Sequence, residues 1–146
     1  MVWVNPMRIL IVGEGGRRRA LVGALEAAGM NVERTPEGAL PAAAAGEPAD
    51  ASGDQVGELA GALLAFDRLL SDDPPDGVLL MSASNLALAA VLVAAKLQVP
   101  VATLAEEAPE GPASDLNRRL VEQLADGTVA DDPATIATSL RDLIAA

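Results

Sequence analysis

Glu106 and Glu107 stand side by side just past the apolar run Val99–Leu104. A carboxylate pair at the end of a strand can share a proton and serve as a base, although a solvated acidic loop accounts for the same residues. Near the start, Gly13-Glu14-Gly15-Gly16 breaks another apolar run, and Arg17, Arg18 and Arg19 follow. Backbone N–H groups at a turn that opens a helix, reinforced by guanidinium groups, make an anion site. The alternative is a tight strand-to-helix turn with solvated arginines. Ser82, Ser84 and Asn85 come directly after Gly77–Met81. Their hydroxyl and amide groups suit a phosphate or a sugar, and they suit the N-cap of a helix equally. Asn117-Arg118-Arg119 puts two cations near a helix start, against the macrodipole, so Asp115 in the same turn or a bound anion must compensate. The candidate ligand-binding set is therefore Gly15, Gly16, Arg17, Ser82, Ser84, Asn85, Glu106, Asp115, Asn117 and Arg118.

Other chemistries are closed by composition. The chain has no Cys and no His, which removes disulfides, thiolate catalysis, the imidazole base and the commonest zinc ligand. Acid–base work would rest on Asp, Glu, Arg or the single Lys96. No catalytic residue, metal ligand or cofactor is assigned. A net charge of −11 argues against nucleic acid and anionic membranes as partners, because both need a basic footprint. No apolar run reaches the roughly 18 residues of a membrane span. Arg8 interrupts the only apolar stretch near the start, which excludes a secretory signal and leaves a cytoplasmic expectation.

The elements that must hold these residues alternate along the chain. Arg8–Val12 reads as a strand buried on both faces, and Arg17–Ala28 as a helix with Gly29 at its C-terminal cap. Met30–Arg34 is a second strand. Positions 36–53 have no clean period and read as an irregular loop, with one helical turn possible at 42–45. Gln55–Leu70 is a helix with Asp54 as N-cap. Gly77–Met81 and Val99–Leu104 are strands around the helix Ser84–Leu97, which is apolar nearly all round and must be covered by another helix or a second subunit. Ser114 or Asp115 starts a helix through Ala125, Gly127–Ala130 is a weak strand, and Asp132-Pro133 starts the last helix. The expectation is one α/β domain over residues 1–146, a three-layer α/β/α sandwich on a parallel sheet of about five strands. Its order is either flavodoxin-like or that of half a Rossmann sheet.

This order of parts, with Pro100-Val101, Asn117-Arg118 and the Leu124-Ala125-Asp126 turn, resembles the N-terminal domain of the UDP-N-acetylglucosamine 2-epimerases, which have the two-domain glycosyltransferase-B architecture. The likeness covers most of the chain and is strongest from Gln55 to Asp131. Gly15-Gly16-Arg17 falls on the family's first Gly-Thr-Arg turn. Met81-Ser82-Ala83 falls on its His-Gly-Asp, and Ser84-Asn85 on the Thr residues that follow. Ala105 falls on the Glu of its Glu-Ala-Gly, and Ala113-Ser114-Asp115-Leu116-Asn117-Arg118 on its Pro-Glu-Glu-x-Asn-Arg. In that family the acids at these strand ends assist proton abstraction at the sugar C2 and loss of UDP. Ala83 and Ala105 carry no acid, with Asp115 or Glu106 the available substitutes, and the family's second domain, which makes most nucleotide contacts, lies outside this sequence. The resemblance thus implies a stand-alone, non-catalytic homologue retaining a weak anion or UDP-sugar site, and a homodimer. The alternatives are an epimerase subunit completed by a partner chain, and a protein-interaction module.

Overall fold

Branched residues placed two apart on short strands decide the layering. The computed structural model describes residues 6–13, 18–35, 54–105 and 111–146. Ten elements alternate: β1 (Arg8–Val12), α1 (Arg18–Ala27), β2 (Asn31–Arg34), α2 (Gln55–Asp72), β3 (Gly77–Leu80), α3 (Asn85–Leu97), β4 (Val101–Leu104), α4 (Pro112–Leu124), β5 (Gly127–Val129) and α5 (Ile136–Ala145). The strands form one parallel sheet in the order β2-β1-β3-β4-β5. That is the flavodoxin-like order, so the choice left open by the sequence is decided. The irregular loop expected over positions 36–53 lies outside the described residues.

Side-chain alternation splits the core in two. Leu10, Val12, Val78, Leu80 and Val101 face α2, α3 and α4. Ile9, Ile11, Leu79, Ala102 and Leu104 face α1 and α5. Phe66 of α2 is fully buried in the first of these layers. The apolar α3 is the middle helix of that layer and packs against α2 on one flank and α4 on the other. Its burial is accomplished within the chain, with no second subunit required.

Several boundaries differ from the sequence expectation for local reasons. β4 begins at Val101 because Pro100 has no N–H to give to the ladder; its carbonyl still accepts from Val78 N–H at 2.9 Å. α4 begins at Pro112, two or three residues early, since proline suits the first helical turn; Asp115 then falls within that turn. α5 begins at Ile136 because Asp132 closes a turn first: its Oδ1 accepts from Ala134 N–H at 3.0 Å and its carbonyl from Ile136 N–H at 3.0 Å. Asp54 caps α2 as expected, accepting from Gly57 N–H at 3.0 Å. Gly29 ends α1 with φ +88°, a backbone region open to glycine at little cost.

The amino edge of the sheet is pinned by a device used twice. Asp76, just before β3, accepts from the Arg8 N–H of β1 at 2.7 Å. Asp126, just before β5, accepts from the Val101 N–H of β4 at 2.7 Å. Each Asp precedes a glycine that touches α5. A Cβ on Gly77 would lie 2.5 Å from Ile144 Cδ1, and one on Gly127 would lie 2.7 Å from Leu143 Cδ1. The repeated Asp-Gly pair therefore sets strand register with its carboxylate and admits the last helix with its missing side chain. At the same edge, Arg8 bridges Glu33 at 3.0 Å and Asp73 at 2.9 Å, and these partners, Glu33 foremost, hold its guanidinium more firmly protonated than usual.

Candidate functional site

Helices that return across a parallel sheet run opposite to the strands, so the first turns of α2, α3 and α4 stand at the carboxyl edge. Ligands of such sheets gather there, where the strand order reverses, here between β1 and β3. Gly13 ends β1 with φ +91°, and a Cβ on it would lie 3.2 Å from the Ser82 hydroxyl oxygen beyond β3. The backbone of one strand end thus meets the hydroxyl of the next directly at the crossover. Gly15, Gly16 and Arg17, expected to complete an anion site here, lie outside the described residues, as does Glu106.

Beyond Ser82 the polar groups face one another across the helix layer. Ser84 is the N-cap of α3 and accepts from Ala87 N–H at 3.1 Å, which fulfils the capping alternative for that residue. Asn85, 5 % exposed, opens α3 and donates through Nδ2 to Gln55 Oε1 of α2 at 2.7 Å. Its Oδ1 accepts from Asn117 Nδ2 of α4 at 2.9 Å, and Asn117 is 4 % exposed. Three helix starts are therefore joined by one hydrogen-bonded chain of amides. The arrangement answers the need of buried amides for partners and fixes how the helices flank the crevice.

The two cations near the start of α4 have their compensating acid. Asp115 accepts from Arg118 Nη2 at 3.5 Å and lies 3.2 Å from Arg119 Nε. Arg118 Nε is sealed from solvent and has no partner among the described residues. At the strand ends, Ala83 and Ala105 offer no proton-transfer group. Among the described residues no cluster of three His, Cys, Asp or Glu side chains could hold a metal ion. A cavity of about 240 Å³ lies elsewhere, along β2 between Leu10, Glu33, Leu70 and Pro75, and shares no residue with the strand-end group.

Sequence reasoning overlooked Gln55 and Glu58, both at the start of α2. The signal for Glu58 was available: it shares the helical phase of Ala62, Phe66 and Leu70, so a carboxylate interrupts an otherwise apolar row. It is 8 % exposed, and its Oε2 is sealed with no partner among the described residues.

Comparison with known proteins places the fold. No family model matches the chain, and no curated protein matches it by sequence. Among solved structures, the UDP-GlcNAc 2-epimerase of Methanocaldococcus jannaschii in complex with UDP-GlcNAc and UDP superposes with a TM-score of 0.68 at 19 % identity, over 93 % of this chain and 43 % of that one. The UDP-N-acetylglucosamine 2-epimerase of Rickettsia bellii gives 0.65 at 13 % identity, over 97 % and 42 %. Acinetobacter baumannii MurG gives 0.59 at 17 % identity, over 89 % and 42 %. The chain has the fold of a UDP-GlcNAc 2-epimerase across rather more than two-fifths of that enzyme's length, as the resemblance implied. No described helix is long and apolar enough to cross a membrane.

Proposed function

We propose that this chain binds a UDP-sugar, or another anionic ligand of that kind, at the carboxyl edge of its sheet and does not epimerise it. The observation that carries the reading is the fold shared with an epimerase that holds UDP-GlcNAc and UDP, combined with a strand-order reversal where Gly13 faces Ser82. Loss of catalysis is supported by Ala83 and Ala105 at strand ends where the resemblance expects acids; removing one positioned acid–base group costs ~10²–10⁴ in rate. The ligand group comprises Gly15, Gly16, Arg17, Ser82, Glu106 and Arg118, with Ser84, Asn85, Asp115 and Asn117 holding the helices that flank it. A cytoplasmic location goes with this reading, since an acidic chain lacks the basic footprint an anionic membrane requires. Thermal-shift and calorimetric titrations with UDP and UDP-GlcNAc test it. A shift with either ligand at millimolar concentration is expected, and none with either ends the nucleotide-sugar reading. Epimerase activity, alone or with a separately supplied second domain, would instead establish the alternative of an enzyme subunit.

A second reading, self-association, has its own observation. Leu116, Leu120 and Leu124 form a row on α4 and are 49 %, 39 % and 36 % exposed. Their equal spacing is self-complementary, since a two-fold axis at Leu120 would set each copy's Leu116 against the other's Leu124. Light scattering should then give about twice the 14.8 kDa chain mass, reduced to one chain mass by Leu120→Glu. A monomer at every concentration removes the homodimer.

A further inference from the structure

The cavity along β2 has an aliphatic floor and a rim of one sign. Leu10 of β1, Leu69 and Leu70 of α2 and Pro75 make the floor, with Glu33 and Asp73 on its polar side. Glu33 lies opposite Leu10 in the ladder, so strand alternation turns its carboxylate toward α2, as it turns Leu10. Arg8, two residues before Leu10, faces the same way and holds both acids with one guanidinium. Its Nε and Nη2 donate to Glu33 at 3.0 and 3.1 Å, and its Nη1 donates to Asp73 Oδ1 at 2.9 Å. Two carboxylates and one guanidinium leave a single negative charge, and Asp73 Oδ2 has no bond among the described residues. The helix adds to this charge. α2 ends at Asp72 with Asp73 as its C-cap and no basic residue in its last turn, so nothing on α2 answers the negative end of its macrodipole.

An anion would find no donor here. Arg8 spends its fork on Glu33 and Asp73. Arg34 also borders the cavity, but it sits opposite Ile11 and so directs its side chain to the other face of the sheet. A cation is favoured twice, by the net charge of the rim and by the helix end. Size sets the rest of the ligand. A dry cavity of about 150 Å³ holds benzene, so one of about 240 Å³ admits such a ring with a short arm. We propose that this cavity binds a primary amine with a compact apolar body, its ammonium at Asp73 and Glu33 and its hydrocarbon on Leu10, Leu69, Leu70 and Pro75. The site shares no residue with the carboxyl-edge group and is independent of the UDP-sugar reading.

The test is methyl NMR of the full chain titrated with phenethylamine, phenethyl alcohol and phenylacetate, which share a ring and differ in the charge of the head. Phenethylamine should shift the methyls of Leu10, Leu69 and Leu70 with a Kd of ~0.1–1 mM, the strength open to so small a ligand. The alcohol should bind about fivefold more weakly, and phenylacetate should leave these methyls unmoved. Asp73→Asn should weaken the amine about three- to fivefold and leave the alcohol unchanged. Asp73 is 77 % exposed, so solvent limits the size of this effect and the variant keeps the fold. Equal binding of amine and alcohol, or an amine affinity unchanged in Asp73→Asn, overturns the assignment of the ammonium to these acids. Shifts confined to other methyls, or none at millimolar concentration, overturn the site itself. Saturating UDP-GlcNAc should leave the amine titration unchanged, and competition between the two would end the claim of a separate site.

Discussion

The Asp126 carboxylate accepts the backbone N–H of Val101 at 2.7 Å, tying the residue before β5 to the first residue of β4. That N–H lies one residue before the β4–β5 ladder, which begins with Ala102 opposite Gly127, so the carboxylate takes the place of a ladder carbonyl. Asp126→Ala should cost about 1.5–3 kcal/mol, the usual loss for a hydrogen bond to a charged group, and lower the melting temperature by roughly 4–10 °C. Asp126→Asn, which keeps an acceptor oxygen, should recover more than half of that loss. A calorimetric melt of both variants checks the pair. An unchanged Asp126→Ala melt would mean that water serves Val101 equally well.

Gly77 and Ile144 meet where α5 crosses the start of β3. Gly77→Ala would place a methyl 2.5 Å from Ile144 Cδ1, so it should destabilise the chain by ~1–3 kcal/mol through overpacking. Ile144→Val deletes the obstructing atom and by itself should cost ~0.5–1.5 kcal/mol. The double variant should be more stable than the sum of the singles predicts, by about 1 kcal/mol. Strict additivity in denaturant melts would show that α5 moves aside instead.

Gln98 caps α3 in the left-handed region at φ +61°. An L-residue with a side chain is strained there, whereas glycine is not. Gln98→Gly should therefore raise stability by about 0.5–1 kcal/mol, an increase of roughly 2–4 °C in melting temperature. Gln98→Val should move it in the opposite direction. A fall in the glycine variant would assign the Gln98 side chain a role that its backbone does not reveal.

Asn85 and Asn117 are partners in the buried amide chain. Replacing either with Ala strands the other and should cost ~1–3 kcal/mol. The double Asn85→Ala, Asn117→Ala variant should cost less than the two singles together, with a coupling of about 1 kcal/mol in urea melts. A coupling below about 0.3 kcal/mol would mean that the amides act independently.

The layout of β and α elements was legible because each buried strand is a short run of branched residues bounded by Gly, Pro or Asp, as Arg8–Val12 and Gly77–Leu80 are. Strand order was not legible, since the pairing of β1 with β3 depends on packing between segments far apart in sequence. Of the candidate site, the cap at Ser84 and the acid at Asp115 followed from helix electrostatics. The Gln55–Asn85–Asn117 chain did not, because residues 30 and 32 apart are brought together only by the fold. Glu58 was passed over because a glutamate in a helix is ordinarily a solvated one.

The bond from Arg8 to Asp76 spans 68 residues. During synthesis β1 emerges long before the strand that will lie beside it at the centre of the sheet. At ribosomal speeds of ~5–20 residues per second the wait is roughly 3–14 s, far longer than a hairpin needs to form. Through that interval the run Ile9-Leu10-Ile11-Val12 keeps one edge unpaired, and its faces have only α1, β2 and, late in the interval, α2 to cover them. The nascent chain is thus most vulnerable to β-mediated aggregation before residue 77 is made, and a trigger-type chaperone would be of greatest use in that window.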